Sequence, residues 1–536
     1  MEEPIVSTQE GQLIGSIKSA FNDESFFSFQ GIPYAKPPLG ELRFKAPLPP
    51  DQWDGIRDAT REGDECYAKN LVSIYTGSEN CLCLNVFTKE ICSRSLRPVM
   101  LWIHGGGFTS GSSRSEIYDP SFLMTEDIVL VTLNYRIGPL GFLHLQDSSL
   151  GVPGNAGLKD IVMALQWVRR NISQFSGDPN NVTIFGESAG GAAVHLLMLS
   201  PMARGLFHKA IAQSGCATNH WATCRSDGVR HLAEALGIYT NDDRVLLKHL
   251  QEMSVEELIG GMERVPDPFL VGKFRPFGPI IEKKSTYEPG FLTENPVDII
   301  KSGNFNQVPF ITGCVEKEGM FVYSLCTTGK KNTLLVDESL VPNSLNLRIG
   351  SEQYNKAVDK IKKFYFSGNE DPSNDLDSIL KVYGHNFFLY EIYKTAQHHL
   401  ESSNTPIYFY LFAVDTELNF MKSVLGVEGE GVCHADDIAY LFKNMLTPEE
   451  LEPNGPEVIG IHRMVKMWTN FAKYSNPTPN NNDPLIPVTW QPINKSCFNV
   501  LRIGTDDLQL LNKHPDVEGM DFWDEMYQKY ALSSKL

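Results

Sequence analysis

No stretch of the 536-residue sequence approaches the ~18–20 consecutive apolar residues that a membrane-spanning helix needs. The strongest apolar runs, Val99 to Ile103 and Ile128 to Leu133, are strand-sized. Basic charge is scarce: Lys and Arg total 47 against 65 Asp and Glu, a formal net charge of −18. So acidic a surface repels phosphate backbones and anionic lipid heads, which argues against nucleic-acid or membrane-surface partners. Cysteine is sparse as well. Ten residues with no paired C-x-x-C do not make a disulfide scaffold. Cys81 and Cys83 form a lone C-x-C without a second ligand cluster, so they read as buried small residues, and no metal or cofactor is expected. The N-terminus, Met-Glu-Glu-Pro-Ile-Val, has no basic n-region and no apolar h-region, so the sequence as it stands carries no secretory signal. Repeats, low-complexity tracts and long linkers are missing too.

What is present is ordinary globular composition, 42% hydrophobic and 21% charged, which excludes disorder and fibrous architecture. At ~100–200 residues per domain the length alone suggests about three domains, though α/β folds run longer as one unit. The first 35 residues read as short strands with Gly and Asn-Asp turns. An α/β alternation follows. Val99–Ile103, Ile128–Tyr135 and Asn181–Phe185 read as strands buried on both faces. Gly157–Asn171 has a helical period at Leu158, Ile161, Val162, Leu165 and Val168, and Ala189–Leu199 reads as a second helix. This pattern predicts a mostly parallel central sheet flanked by helices. Phe522, Trp523, Met526, Tyr527 and Tyr530 form one stripe of a closing helix. Residues 221–310 and 325–400 are expected as helical cap insertions over the sheet's C-terminal edge, where open α/β sheets place their sites. The whole chain is then read as a single enlarged domain.

Gly186-Glu187-Ser188-Ala189-Gly190 lies between a buried strand and a small-residue helix, as a nucleophile elbow must. Side chains at 186 and 190 would collide with the neighbouring strand and helix, and Gly at both removes the clash. Ser188 then sits at a helix N-terminus, whose dipole favours developing negative charge. A serine hydroxyl needs a base and an oxyanion site. His104-Gly-Gly-Gly-Phe108 follows the Val99–Ile103 strand and has neither G-x-G-x-x-G spacing nor a P-loop Lys. The amides of Gly106, Gly107 and Ala189 are the expected oxyanion donors. The base and acid must lie downstream in the order Ser, acid, His. Among thirteen His, His434 stands out in Gly431-Val-Cys-His-Ala-Asp-Asp-Ile-Ala-Tyr-Leu-Phe442, a loop running into an apolar helix. Glu318 is the acid candidate in Gly313-Cys-Val-Glu-Lys-Glu-Gly319, with Glu316 a rival two residues away.

Over nearly its whole length the chain resembles the carboxylesterase/cholinesterase (type-B carboxylesterase) family of α/β-hydrolases, and within it the insect α-esterase-type carboxylesterases. The resemblance rests on Gln30–Pro47, the HGGGF run, Asn134-Tyr-Arg-Ile-Gly138, Pro153–Asp160, GESAG, Gln213-Ser-Gly215, Arg275-Pro-Phe-Gly-Pro279, His434-Ala-Asp and Trp468-Thr-Asn-Phe-Ala472. It implies Ser188 as nucleophile and His434 as base. It selects Glu318 as acid, being the Glu directly before Gly. Trp221 resembles the family's acyl-pocket Trp, and with Glu187 and Phe108 it makes up the expected substrate pocket. Arg43 with Glu79, and Arg136 with Asp160, fall where the family forms ion pairs. Cys66 and Cys81 match its first disulfide loop. The positions of a second bridge hold Ile238 and His249, which fits a reducing compartment. The Cys66–Cys81 loop contains no Trp, which disfavours a cholinesterase, and Glu187 argues against a juvenile hormone esterase, where Gln is commoner. Family segments also change here: E-D-C-L-Y is Glu79-Asn-Cys-Leu-Cys83, without removal of a catalytic group.

The implied function is a serine carboxylesterase acting on small-molecule hydrophobic carboxylic esters, xenobiotic esters such as insecticides included, through an acyl-enzyme. The alternatives are a low-turnover protein sequestering esters or organophosphates and, less favoured, a juvenile hormone or odorant esterase. The expected location is cytoplasmic. Ser534-Lys-Leu536 would redirect the chain to the peroxisome if read by the import receptor, and a removed signal peptide would make it secreted.

Overall fold

The computed structural model describes residues 3–70, 74–224, 227–266, 275–327, 337–367, 375–427, 429–480 and 482–531. Its large sheet has eleven strands: β1 (Ser16–Ser19), β2 (Ser25–Pro33), β3 (Cys83–Thr88), β4 (Arg97–Ile103), β5 (Val129–Leu133), β6 (Gly177–Glu187), β7 (Lys209–Gln213), β8 (Phe310–Val315), β9 (Ile407–Ala413), β10 (Val500–Gly504) and β11 (Leu508–Leu511). The spatial order is β11-β10-β9-β8-β7-β6-β4-β5-β3-β2-β1. From β5 to β10 every neighbouring pair is parallel. The edges, β3-β2-β1 and β11, are antiparallel.

The continuous apolar runs form the middle of this sheet because both faces are covered. Val99, Leu101 and Ile103 of β4 point into one core, and Met100 and Trp102 into the other. On the first core lie α1 (Ala156–Asn171) and α2 (Ala189–Leu199), the latter buried at every residue. The strand expected at Asn181 begins earlier, at Gly177, and its register against β4 shifts between Gly177 and Val182. The closing helix Val517–Ala531 buries Met520, Phe522, Trp523, Met526 and Tyr530.

Strand order places the site. The chain leaves β4 for β5 on one side and then crosses to β6 on the other, so the order reverses between β4 and β6. A crevice opens at the carboxyl ends of such a pair. His104 directly follows β4, and Ser188 directly follows β6. Glu318 comes three residues after β8.

Among the described residues of 221–309 and 325–400 the regular elements are helices, among them Gly228–Ala235, Asp243–Glu252, Val255–Arg264, Pro296–Ser302 and Glu352–Phe366. A longer helical rod follows: α-helix Leu376–Gly384, a π turn His385–Leu389 and α-helix Tyr390–Ser402. Ser534-Lys-Leu536 lies outside the described residues. Cys66 and Cys81 are joined by a disulfide. Arg43 Nε bonds Glu79 at 2.7 Å, and the buried Arg136 bonds both carboxylate oxygens of Asp160 at 2.8 and 2.6 Å. No described helix is long and apolar enough to cross a membrane.

Candidate active site

Ser188 joins β6 to α2 with φ 58° and ψ −123°, a strained conformation for a residue with a Cβ. The strain is held from both sides: Ser188 N–H donates to Gln213 O at 2.8 Å, and Ser188 O accepts from Ala192 N–H at 2.9 Å. The clash expected at the flanking glycines is present. A Cβ on Gly186 would stand 2.5 Å from Ile103 O, and one on Gly190 only 2.0 Å from it. The elbow packs directly on the end of β4.

His434 Nε2 lies 2.8 Å from Ser188 Oγ, and His434 Nδ1 lies 2.6 Å from Glu318 Oε2. An ionised carboxylate can only accept, so Nδ1 carries the hydrogen and Nε2 is left to take the serine proton. Glu318 is fixed in turn: its Oε1 accepts from Val315 N–H at 3.0 Å. Glu316, the rival acid, points away and meets Arg502 Nη2 at 3.4 Å. The segment after His434 is a 3₁₀ turn, Asp436–Tyr440, rather than the expected helix. All five of its residues are buried, so packing decides its shape.

Acidity gathers around the base. Glu187 Oε1 stands 3.1 Å from His434 Nε2 without hydrogen-bond geometry. Asp437 Oδ2 accepts from Gln213 Nε2 at 2.8 Å and Tyr410 Oη at 3.0 Å. Asp436 accepts from the amides of Met421, Lys422 and Cys433. Burial alone would lower the His434 pKa, but Glu187, Glu318 and Asp437 outweigh it and raise it to about 9. Burial pushes Glu187 up to about 8, offset in part by His434 and reinforced by the neighbouring carboxylates. A base titrating near the ordinary ~6.5 would be the expectation for a free histidine. The acidic surroundings overturn it. Sequence reasoning singled out Glu187 but not Asp436 and Asp437, although the His-Ala-Asp-Asp run contained them.

The Gly run forms a tight turn, with Gly106 at φ 107° and Gly107 at φ 61°. Gly106 O accepts from Thr109 N–H and Ser110 N–H, while Arg275 Nη1 donates to Gly107 O at 2.6 Å. The amides of Gly106 and Gly107 meet no acceptor among the described residues. Ala189 N–H is the first of its helix, one of the amides no intrahelical carbonyl can reach.

A cavity of about 470 Å³ reaches Gly105, Gly106 and Glu187. Tyr118, Phe420, Met421, Ile438, Met445 and Leu446 supply apolar lining, and Glu65, Lys69, Arg114 and Glu116 charged lining. Of the three residues read as substrate pocket, Glu187 lines this cavity. Trp221 and Phe108 are not among its lining residues. Phe108 is wholly buried with its ring 5.4 Å from Phe142. Trp221 is buried, its Nε1 donating to Phe387 O at 2.7 Å and its ring 5.8 Å from Phe388. Phe388 and Phe321, neither singled out from the sequence, pack their rings 4.4 and 5.0 Å from the His434 imidazole.

This sheet order with an elbow serine after the sixth strand defines an α/β-hydrolase. The chain belongs to the carboxylesterase family, which it matches over residues 2–523. It is 34% identical to juvenile hormone esterase of Tribolium castaneum over 514 residues, 92% of this chain and 86% of that one. It is 32% identical to esterase B1 of Culex pipiens over 545 residues, 98% of each. A crystal structure of juvenile hormone esterase from Manduca sexta, with OTFP covalently attached, matches with a TM-score of 0.87 at 29% identity, covering 98% of this chain and 100% of the other. The enzyme is a carboxylic ester hydrolase.

Proposed function

We propose that the enzyme hydrolyses hydrophobic carboxylic esters through an acyl-enzyme formed on Ser188. The observation that carries this reading is the bonded chain Glu318–His434–Ser188, at 2.6 and 2.8 Å, ending on a strained elbow. His434 Nε2 takes the hydroxyl proton as Ser188 Oγ attacks the ester carbonyl. The C–O bond to the alcohol breaks, and His434 returns the proton to the departing oxygen. Water, deprotonated by the same nitrogen, then attacks the acyl-enzyme and frees the acid. Glu318 holds the imidazole tautomer and stabilises the imidazolium. The amides of Gly106, Gly107 and Ala189 receive the oxyanion, each worth ~2.7–4 kcal/mol in related chemistry.

The apolar residues among the cavity's lining support neutral, hydrophobic esters, a class that includes xenobiotic esters. The covalently attached OTFP of the similar Manduca structure supports a covalent route. The test is a fluorophosphonate probe and a panel of 4-nitrophenyl esters on wild type and Ser188→Ala. Stoichiometric labelling of wild type, absent in the variant, with turnover lowered at least ~10⁴-fold, is expected. Wild-type hydrolysis by the variant would sink the reading. A burst without steady-state turnover would replace it with sequestration.

A further inference from the structure

The cavity that Glu187 lines reaches the nucleophile's own turn. A Cβ on Gly105, another of its lining residues, would stand 3.2 Å from Ser188 Cβ. From there the apolar lining grades outward. Tyr118, Phe420 and Ile438 are buried and Met421 is half-buried, while Val424, Met445 and Leu446 are 41, 65 and 50% exposed. A single exposed apolar side chain needs no explanation. Three that line one cavity, together with the charged Glu65, Lys69, Arg114 and Glu116, are a different case. An exposed apolar patch bordered by polar residues marks a binding surface or a ligand groove.

The exposure is built into the backbone. Lys443 and Asp119 form an antiparallel bridge, with amide-to-carbonyl bonds of 3.0 and 3.2 Å in the two directions. Met445 N–H donates to Glu116 O at 2.8 Å. Asn444 is buried between them and closes the turn on itself. Its Oδ1 accepts from Leu446 N–H at 2.9 Å, its own N–H donates to Thr447 Oγ1 at 3.0 Å, and its carbonyl accepts from Thr447 N–H at 3.0 Å. Met445 and Leu446 therefore have fixed main chains and side chains left open to water. Val424 ends the short helix Phe420–Val424, and that helix is tied to the base. Asp436 Oδ1 accepts from the amides of Met421 and Lys422, and its Oδ2 accepts from Cys433 N–H, one residue before His434. Apolar side chains held in water gain when apolar surface covers them. Here they are continuous with a cavity that ends at the nucleophile, so the covering surface belongs to the substrate.

We propose that Val424, Met445 and Leu446 determine specificity by covering the hydrophobic arm of the ester that extends from Ser188 through the cavity, so that the enzyme selects esters with one long apolar arm. The inference rests on Ser188 as nucleophile. Either arm of an ester, acyl or alcohol, has the required chemistry, and two series of substrates tell them apart.

One series holds the alcohol at 4-nitrophenol and runs the acyl chain from acetyl to octanoyl. The other holds acetyl and runs the alcohol from methyl to octyl, with acid release as the readout. Each ester is kept dissolved as monomers. The variants are Met445→Gln with Leu446→Gln, and Val424→Thr, which keep side-chain size and remove apolar character. The ratio of kcat/KM for the longest member to that for the shortest should fall roughly tenfold in the double variant and less in Val424→Thr, in the series whose growing arm lies on the rim. The fall should come through KM, since a contact far from the reacting carbonyl is made equally in ground and transition states. Met445→Leu with Leu446→Met, apolar at both positions, should keep the wild-type ratio. A ratio unchanged in both series, as expected if these side chains meet a protein partner instead, overturns the proposal. So does an equal loss along the whole of each series. Failure of fluorophosphonate to label wild-type Ser188 removes the underlying reading. Normal labelling with an unchanged chain-length ratio removes this inference only.

Discussion

Glu187 Oε1 lies 3.1 Å from His434 Nε2, the nitrogen that also meets Ser188 Oγ at 2.8 Å. The base thus faces carboxylates from both ring nitrogens, and the second one touches the proton-accepting side. A negative charge there favours the imidazolium formed during attack. It also raises the pH at which the resting base becomes free.

The sign of the pH effect follows. Catalysis needs neutral His434, so activity is lost as pH falls through its pKa, raised to about 9. Glu187→Gln removes a raising charge, and the acid limb of kcat/KM should move to lower pH, toward the ordinary ~6.5. In wild type the limb belongs to the His434–Glu187 pair jointly, so its apparent constants are those of the pair. A limb that stays in place in the variant contradicts this account.

Glu318→Gln should lower kcat on the order of 10⁴-fold, by analogy with an orienting acid changed to its amide elsewhere. Glu316→Gln, two residues away but bonded to Arg502, should leave kcat within about twofold. Steady-state kinetics of the two variants side by side checks both; a larger loss at 316 would reverse the assignment.

Gly190→Ala places a methyl 2.0 Å from Ile103 O in a fully buried elbow. Overpacking of this kind costs about 1–3 kcal/mol or more, and the serine is displaced with it. Gly260→Ala, in helix Val255–Arg264 with nothing within 4 Å of the new methyl, should instead stabilise by ~0.5–1 kcal/mol. Thermal unfolding of the pair distinguishes steric demand from mere glycine content.

Arg136 and Asp160 are both buried and doubly bonded to each other. Arg136→Met leaves Asp160 charged without its partner and should cost about 3–5 kcal/mol. Arg136→Met with Asp160→Leu should recover much of that loss. Denaturant melts that show the double variant no more stable than the single one would refute the pairing as the cause.

The elbow and the Gly run were legible because each combines a short-range pattern with a strand boundary: β4 ends where its apolar run ends, at Ile103, and β6 ends two residues beyond Phe185. The choice between Glu318 and Glu316 was not legible from the residues alone. It depends on where β8 stops, since the amide that grips Glu318 belongs to Val315, the last residue of that strand. The family resemblance supplied that choice. The π turn left no trace either. One extra residue per turn inside Tyr383-Gly-His-Asn-Phe-Phe-Leu389 changes no apolar pattern, yet it decides which ring meets the base. Asp436 and Asp437 stood in view beside His434, but only packing shows one bracing the backbone and the other tied to Gln213 and Tyr410.

The parallel sheet has a consequence in time. His434 follows Ser188 by 246 positions and Glu318 by 116, and a chain made from its N-terminus exposes the nucleophile long before its base exists. Contacts so distant in sequence close late and slowly. Through most of synthesis Ser188 is an ordinary alcohol, and the elbow acquires its geometry only when later strands and the glycine turn lock around it. Ester cleavage is therefore a readout of completed folding: a chain cut between positions 188 and 434 regains it only if the two pieces rebuild the sheet together.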